Sequence, residues 1–171
     1  MNLDNKISCL NASEIIKKET IWGEELAMVL MGESNIEIKI LDSKDGPLSI
    51  QSHPDSWEIW KILSVKPGAF IIGGLKEEYV KGQCYFDPNY NKTIVDYCNI
   101  IFPAVNDMYL IPQRLIHALG KGIVALEIKP SVNNKTIRIY DWDRGREPQE
   151  LKNKITWGDI CDQKEKIIKL N

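Results

Sequence analysis

Residues 48–60 read "LSIQSHPDSWEIW". In an extended strand, side chains two apart share a face, so Ser49, Gln51 and His53 point one way while Leu48 and Ile50 point the other. The apolar pair is expected to face the packing between two sheets, and the polar trio to line a wet space. Pro54, Asp55 and Ser56 supply turn chemistry. "WEIWKIL" then resumes as a partner strand with Glu58, Trp60 and Ile62 on one face, which brings Glu58 back opposite Gln51 and His53.

An imidazole nitrogen, an amide oxygen and a carboxylate converging on one point make a ligand set for a divalent ion such as zinc, with a fourth ligand to come from elsewhere. The chain has only two histidines. The other is His117 in "YLIPQRLIHALGKG", where Pro112 ends a strand and Gly120 and Gly122 frame the next turn. Spacing alone leaves a second reading open, in which His53 is an ordinary hydrogen-bonded strand histidine and Glu58 a glutamate beside tryptophans.

Working outward, "IEIKILD", "LSIQSH", "EIWKILSV", "AFIIGG", "DMYLIP", "GIVALEIK" and "TIRIYDW" are rich in Ile, Val and aromatics and are bounded by turn residues, which predicts a mainly β sandwich or small barrel. Helical pattern is confined to "NASEIIKKE" near the start, "NKTIVDYCNI" in an insertion and "TWGDICDQKEKIIKL" at the end. The expected organisation is a single domain over 1–171, with a flank at 1–35, a barrel core over about 36–145 and a second flank over about 146–171.

Composition narrows the function. The chain has 171 residues, 43% of them apolar, enough for one real core. Its 22 basic and 24 acidic side chains are spread without long runs, which argues against a nucleic-acid partner. No stretch nears the roughly 20 apolar residues that cross a bilayer, and "MNLDNKISCLNAS" lacks the pattern of a secretion signal. A soluble, cytoplasmic protein is expected. Cys9, Cys84, Cys98 and Cys161 are too scattered for a zinc knuckle or a disulfide framework, so reduced cysteines are expected.

The order Gln-x-His, then Glu five residues on, then a later Pro with His five residues after it resembles the two signature motifs of the cupin superfamily, at Gln51, His53, Glu58, Pro112 and His117. More narrowly, "IWG", "IKILDSKDGPLSIQSHPD", "IPQRLIHALGKGIVALEI" and "TIRIYDWDRGREPQEL" resemble, in order, stretches of the type I mannose-6-phosphate isomerases. The resemblance implies a cupin jelly-roll β-barrel with a few flanking helices, holding zinc or another divalent metal through Gln51, His53, Glu58 and His117. It implies an aldose-ketose isomerase that interconverts mannose 6-phosphate and fructose 6-phosphate through an enediol-type intermediate. Arg138 matches the family's active-site arginine, Glu127 the glutamate before it and Ser49 a serine of the pocket. Arg138 and Ser49 are thus candidates for substrate contact, and Arg138 and Glu127 for catalysis.

The chain also departs from that family. Members are typically much longer, so this chain resembles a reduced form containing chiefly the catalytic barrel. The family's loop before the ligand glutamate ends in Gly-Lys-x-Glu, whereas here it shrinks and Ser56 stands where the lysine would be. The short Gln51-to-Glu58 spacing instead resembles the bifunctional type II isomerases and other small sugar-acting cupins, while "YDWDR" favours type I. Two alternatives therefore stand beside the isomerase: a non-catalytic sugar- or metal-binding cupin, and an isomerase or epimerase of another sugar, with or without phosphate. For Glu127 and Arg138 the plain alternative is a cross-strand ion pair, and Arg144 and Arg146 are surface residues or phosphate contacts. Edge strands would allow a homodimer, but no pattern specifies one.

Overall fold

The computed structural model describes residues 11–32, 34–80, 94–131, 135–145 and 166–170. The strand-forming segments alternate between two environments, and each becomes a strand of one of two antiparallel sheets. The strands are β1 (Asn11–Ala12), β2 (Ile16–Thr20), β3 (Gly23–Met31), β4 (Ile36–Asp42), β5 (Ile50–Ser52), β6 (Glu58–Val65), β7 (Ile71–Leu75), β8 (Cys98–Ile101), β9 (Met108–Ile111), β10 (His117–Leu119), β11 (Ile123–Pro130), β12 (Ile137–Tyr140) and β13 (Ile168–Leu170). Among the described residues a short helix, α1 (Glu77–Val80), and a 3₁₀ turn over Ile94–Tyr97 interrupt them.

The larger sheet runs β1-β3-β4-β11-β6-β9-β13, with β2 paired to β3. The smaller runs β12-β5-β10-β7-β8. Facing each other, they form the expected jelly-roll barrel. Between them lies a core of Leu41, Trp60, Ile62, Tyr109, Ile111 and Ala125 from the larger sheet and Ile71 and Leu119 from the smaller.

Two expectations about residues 48–60 are corrected. Ile50 does not face the space between the sheets. It joins Ile72, Ile116, Ala118 and Ile139 in a second apolar cluster on the opposite face of the smaller sheet, covered by Ile94, Phe70 and Trp142. The polar trio therefore faces the barrel interior because an independent apolar layer is available to Ile50 outside. Leu48 does lie in the inter-sheet core, since it precedes β5 and escapes the strand's alternation. Nor does β6 return as the hairpin partner of β5: the turn at 53–57 carries the chain from the smaller sheet to the larger, where β6 pairs with β11 and β9.

The flanks also differ from expectation. "NASEIIKKE" contributes β1 and β2 rather than a helix, because Ile16–Thr20 pair with Gly23–Ala27 through a tight turn. Gly23 at that turn has φ +144°, and a Cβ there would lie 1.9 Å from Asp42 O, so only glycine fits. The described part of "NKTIVDYCNI" holds the 3₁₀ turn and then β8, and in "TWGDICDQKEKIIKL" the described part holds strand β13. Of the cysteines, Cys98 is a buried free thiol, pushed up to about 12 by burial. Cys9, Cys84, Cys161 and Arg146 lie outside the described residues. Among the described residues no helix is long and apolar enough to cross a membrane.

Candidate metal centre

The strand registers explain why polar side chains gather at one end of the barrel. In the smaller sheet, Gln51 pairs with His117 on one side and Arg138 on the other, so Arg138, Gln51 and His117 form a row across three strands. In the larger sheet, Glu127 is flanked by Lys39 and Trp60. Lys129, on the same face two residues later, is opposite Glu37. Below these rows Leu41, Ile62 and Ala125 continue the same faces with apolar groups. The barrel is thus polar at one end and oily at the other.

Glu58, at the start of β6, reaches across the barrel to both histidines. His53 Nε2 lies 3.1 Å from Glu58 Oε1, and His117 Nε2 lies 3.5 Å from Glu58 Oε2. All three residues are buried, and their potential ligand atoms lie within 4.8 Å of one another. His117 Nδ1 donates to Leu115 O at 2.8 Å, which leaves Nε2 as a bare lone pair facing Glu58. His53 Nδ1 lies 3.3 Å from Thr136 Oγ1, and donation to that hydroxyl leaves Nε2 in the same state. His117 Nε2 and Glu58 Oε2 are buried without a hydrogen-bond partner among the described residues. Lone pairs turned toward one another in a buried space need a cation between them, so these donors fit a divalent metal.

Gln51 borders the same point, with Nε2 3.4 Å from His53 Nε2 and Oε1 3.3 Å from Ser49 Oγ. Rotating the terminal amide by half a turn exchanges two atoms of like size. Oε1 then faces the centre as a ligand and Nε2 donates to Ser49 Oγ. Ser49 also accepts from Arg138 Nε at 3.2 Å, and among the described residues this is the guanidinium's one hydrogen bond. Its terminal amino groups remain for an anionic or hydroxylated ligand.

Glu127 takes its place on the opposite wall, where Trp60 Nε1 donates to its Oε2 at 3.1 Å. Lys129 and Lys39 lie 3.4 and 3.9 Å from its Oε1. No ion pair joins Glu127 to Arg138 among the described residues, and they stand in different sheets. Trp60 also meets the His117 ring edge-on at 5.5 Å, so it is a core residue that braces two polar ones. Ser56 is buried with its hydroxyl on Trp57 O and brings no cation. Instead Lys129 Nζ, from β11, lies 3.3 Å from Glu58 Oε1. Lys129, Thr136 and the Leu115 carbonyl were not signalled by any motif, since their contact with the centre depends on register between distant segments.

"YDWDR" has a structural task. Arg144 bonds Asp141 Oδ1 at 2.6 Å and Pro47 O at 2.9 Å, and Trp142 Nε1 donates to Leu48 O at 2.7 Å. The motif thus clamps the backbone that enters β5 and aims Ser49, Gln51 and His53. Arg144 is committed to this clamp.

Burial and charge set the proton affinities. Burial pushes His117 down to about 4, outweighing the attraction of Glu58. Burial and the charge of Glu58 push Glu127 up to about 7, against the opposing pull of Lys129 and Lys39. Burial alone would raise Glu58, but the contact with His53 and the nearby positive groups hold it well below the usual carboxylate range. Lys129 is the part of that pull that persists when both imidazoles are neutral.

These shifts fix a pH response for the metal-free protein. As pH falls from about 6.5 to about 4, the unfolded chain protonates at the His117 position before the folded one, and stability is lost. Between about 7 and 4.5 the folded state protonates Glu127 first, and stability is gained as pH falls. The two oppose each other until Glu58 adds its own loss below its ordinary value of 4.5. Stability in chelator is therefore expected to change little between about 4.5 and 6.5 and to fall steeply below. In Glu127→Gln the fall is expected to begin near 6.5, and urea titrations at several pH values check both.

No family model matches the chain. It is 34% identical over 122 residues to the mannose-6-phosphate isomerase of Streptococcus mutans, covering 62% of this chain and 36% of that protein. With mannose-6-phosphate isomerase ManA of Bacillus subtilis the identity is 32% over 127 residues, covering 62% and 36%. The match thus spans about a third of the length of these relatives. The crystal structure of the mannose 6-phosphate isomerase from Bacillus subtilis superimposes with a TM-score of 0.61 at 19% identity, covering 90% of this chain and 67% of that one. Over 62% of its length the chain is thus similar in sequence to curated mannose-6-phosphate isomerases, and it shares its fold with one such enzyme.

Proposed function

We propose that the chain is a metal-dependent aldose-ketose isomerase that interconverts mannose 6-phosphate and fructose 6-phosphate, with Gln51, His53, Glu58 and His117 holding zinc. The observation that carries this reading is the convergence of unpartnered His117 Nε2 and Glu58 Oε2 with His53, beside a row containing Gln51 and Arg138. The names of the relatives support the substrate.

The reaction moves a proton between C2 and C1 while a carbonyl and a hydroxyl exchange places through an enediol-type species. A bound divalent ion supplies polarisation of those two oxygens and stabilises the negative charge that develops. Arg138 contacts the sugar oxygens or the phosphate with its terminal amino groups, oriented by Ser49. Glu127, with a proton affinity near neutrality, is the candidate for carrying the proton, since general acid-base catalysis is most effective when the group's pKa is close to the working pH. Trp60 and the two lysines fix its carboxylate.

The test is turnover by the zinc-loaded protein on mannose 6-phosphate and on mannose, beside an Arg138→Gln variant. Turnover that needs the phosphate and drops at least about 100-fold in the variant is the expected result, in line with losing one transition-state donor. Turnover of the free sugar alone would move the reading to a non-phosphorylated substrate. Tight zinc binding without turnover would move it to a non-catalytic cupin.

A further inference from the structure

The charge at the centre continues beyond its candidate ligands. Lys129 carries a full positive charge with its side chain only 7% exposed. Its Nζ lies 3.3 Å from Glu58 Oε1, 3.4 Å from Glu127 Oε1 and 3.7 Å from Glu37 Oε2. Lysine is rarely buried unless paired, and these carboxylates account for its tolerance there. Yet Glu58 is also the carboxylate on which His53 and His117 converge. A metal held by that trio and the Lys129 ammonium must share it.

Sharing has a definite direction. A cation hydrogen-bonded to a ligand carboxylate draws charge from it and makes it a weaker donor to the metal. Like charges a few ångströms apart, shielded from water, also repel. Both effects loosen the metal, and both leave it a stronger acceptor of electron pairs from any other oxygen that reaches it. The covalent frame holds the lysine in place, because β11 is the central strand that pairs with both β4 and β6.

We propose that Lys129 is a positioning residue that tunes the metal centre through Glu58, lowering metal affinity and raising the metal's power to polarise sugar oxygens. This rests on the metal-centre reading above. Lys129→Gln should release zinc into excess chelator at least tenfold more slowly than the wild type, while kcat on mannose 6-phosphate falls at least tenfold. Lys129→Arg, which keeps the charge, should return both toward wild-type values. A purely structural ion pair predicts looser zinc, or zinc unchanged, once Lys129 is neutralised, and either result overturns the proposal. So does an unaltered kcat alongside tighter zinc.

Glu37→Gln provides a second measurement if Lys129→Gln does not fold. Glu37 is a partly exposed competitor for the same ammonium, and removing its charge leaves Lys129 more fully to Glu58. Zinc should then leave faster, and an unchanged release rate overturns the proposal. The zinc measurements need no sugar. Absence of turnover in the wild type would therefore remove the isomerase reading while the release rates still decide the role of Lys129.

Discussion

Substituting alanine for His117 is expected to weaken zinc binding by more than about 100-fold, the upper range for losing an outer-sphere partner alone, and to reduce mannose 6-phosphate turnover to background. His117 is buried and its Nε2 lacks a hydrogen-bond partner among the described residues. Its Nδ1–H is fixed on Leu115 O. A metal that binds only the folded protein raises the melting temperature, so zinc should stabilise the wild type and leave His117→Ala almost unmoved. Calorimetry with and without zinc separates this from simple misfolding. A variant that melts cooperatively and still gains full stability from zinc would show that His117 is not a ligand.

The second large effect is expected at Trp60. Its side chain is fully buried between the sheets, its ring edge supports His117, and its Nε1 donates to Glu127. Trp60→Ala should cost about 3–5 kcal/mol through lost burial and the cavity left behind. Trp60→Phe keeps most of the apolar volume and removes the donor, so about 1–3 kcal/mol is expected from leaving Glu127 Oε2 short of a partner. Urea midpoints with an unchanged m-value would measure both. A loss in Trp60→Phe as large as in Trp60→Ala would locate the energy in the hydrogen bond rather than in packing.

Much of this was legible in the chain. The Ile-rich run "IEIKILD", bounded by turn residues, marked β4 at its true bounds, and three of the candidates singled out, His53, Glu58 and the second histidine, lie together in the barrel. The route by which they meet was not legible. A five-residue turn can close a hairpin or cross between sheets, and the sequence at 53–57 permits both. Only pairing with β9 and β11 decides that Glu58 approaches from the opposite wall. The face of Ile50 depended on a second apolar layer assembled from Ile72, Ile94 and Ile139, far apart in sequence. Near the start, local helical spacing in "NASEIIKKE" lost to the edge that β3 offered. Lys129 reads as the polar end of a strand until the registers of β4 and β6 bring Glu37 and Glu58 to it.

The central place of β11 also bears on how the barrel comes into being. Its neighbours β4 and β6 precede it by many residues, with Ile36 paired to Pro130 and Val65 to Ile123, and they touch no strand of the larger sheet in common except β11. Until residue 130 has left the ribosome, the two halves of that sheet have nothing to join them, and Glu58 lacks the wall that carries Glu127 and Lys129. Such long-range pairings make for slow folders, on the millisecond-to-second scale of β-sandwiches. In the interval the nascent chain exposes two unjoined sheet fragments with apolar inner faces, the kind of species that chaperones shelter.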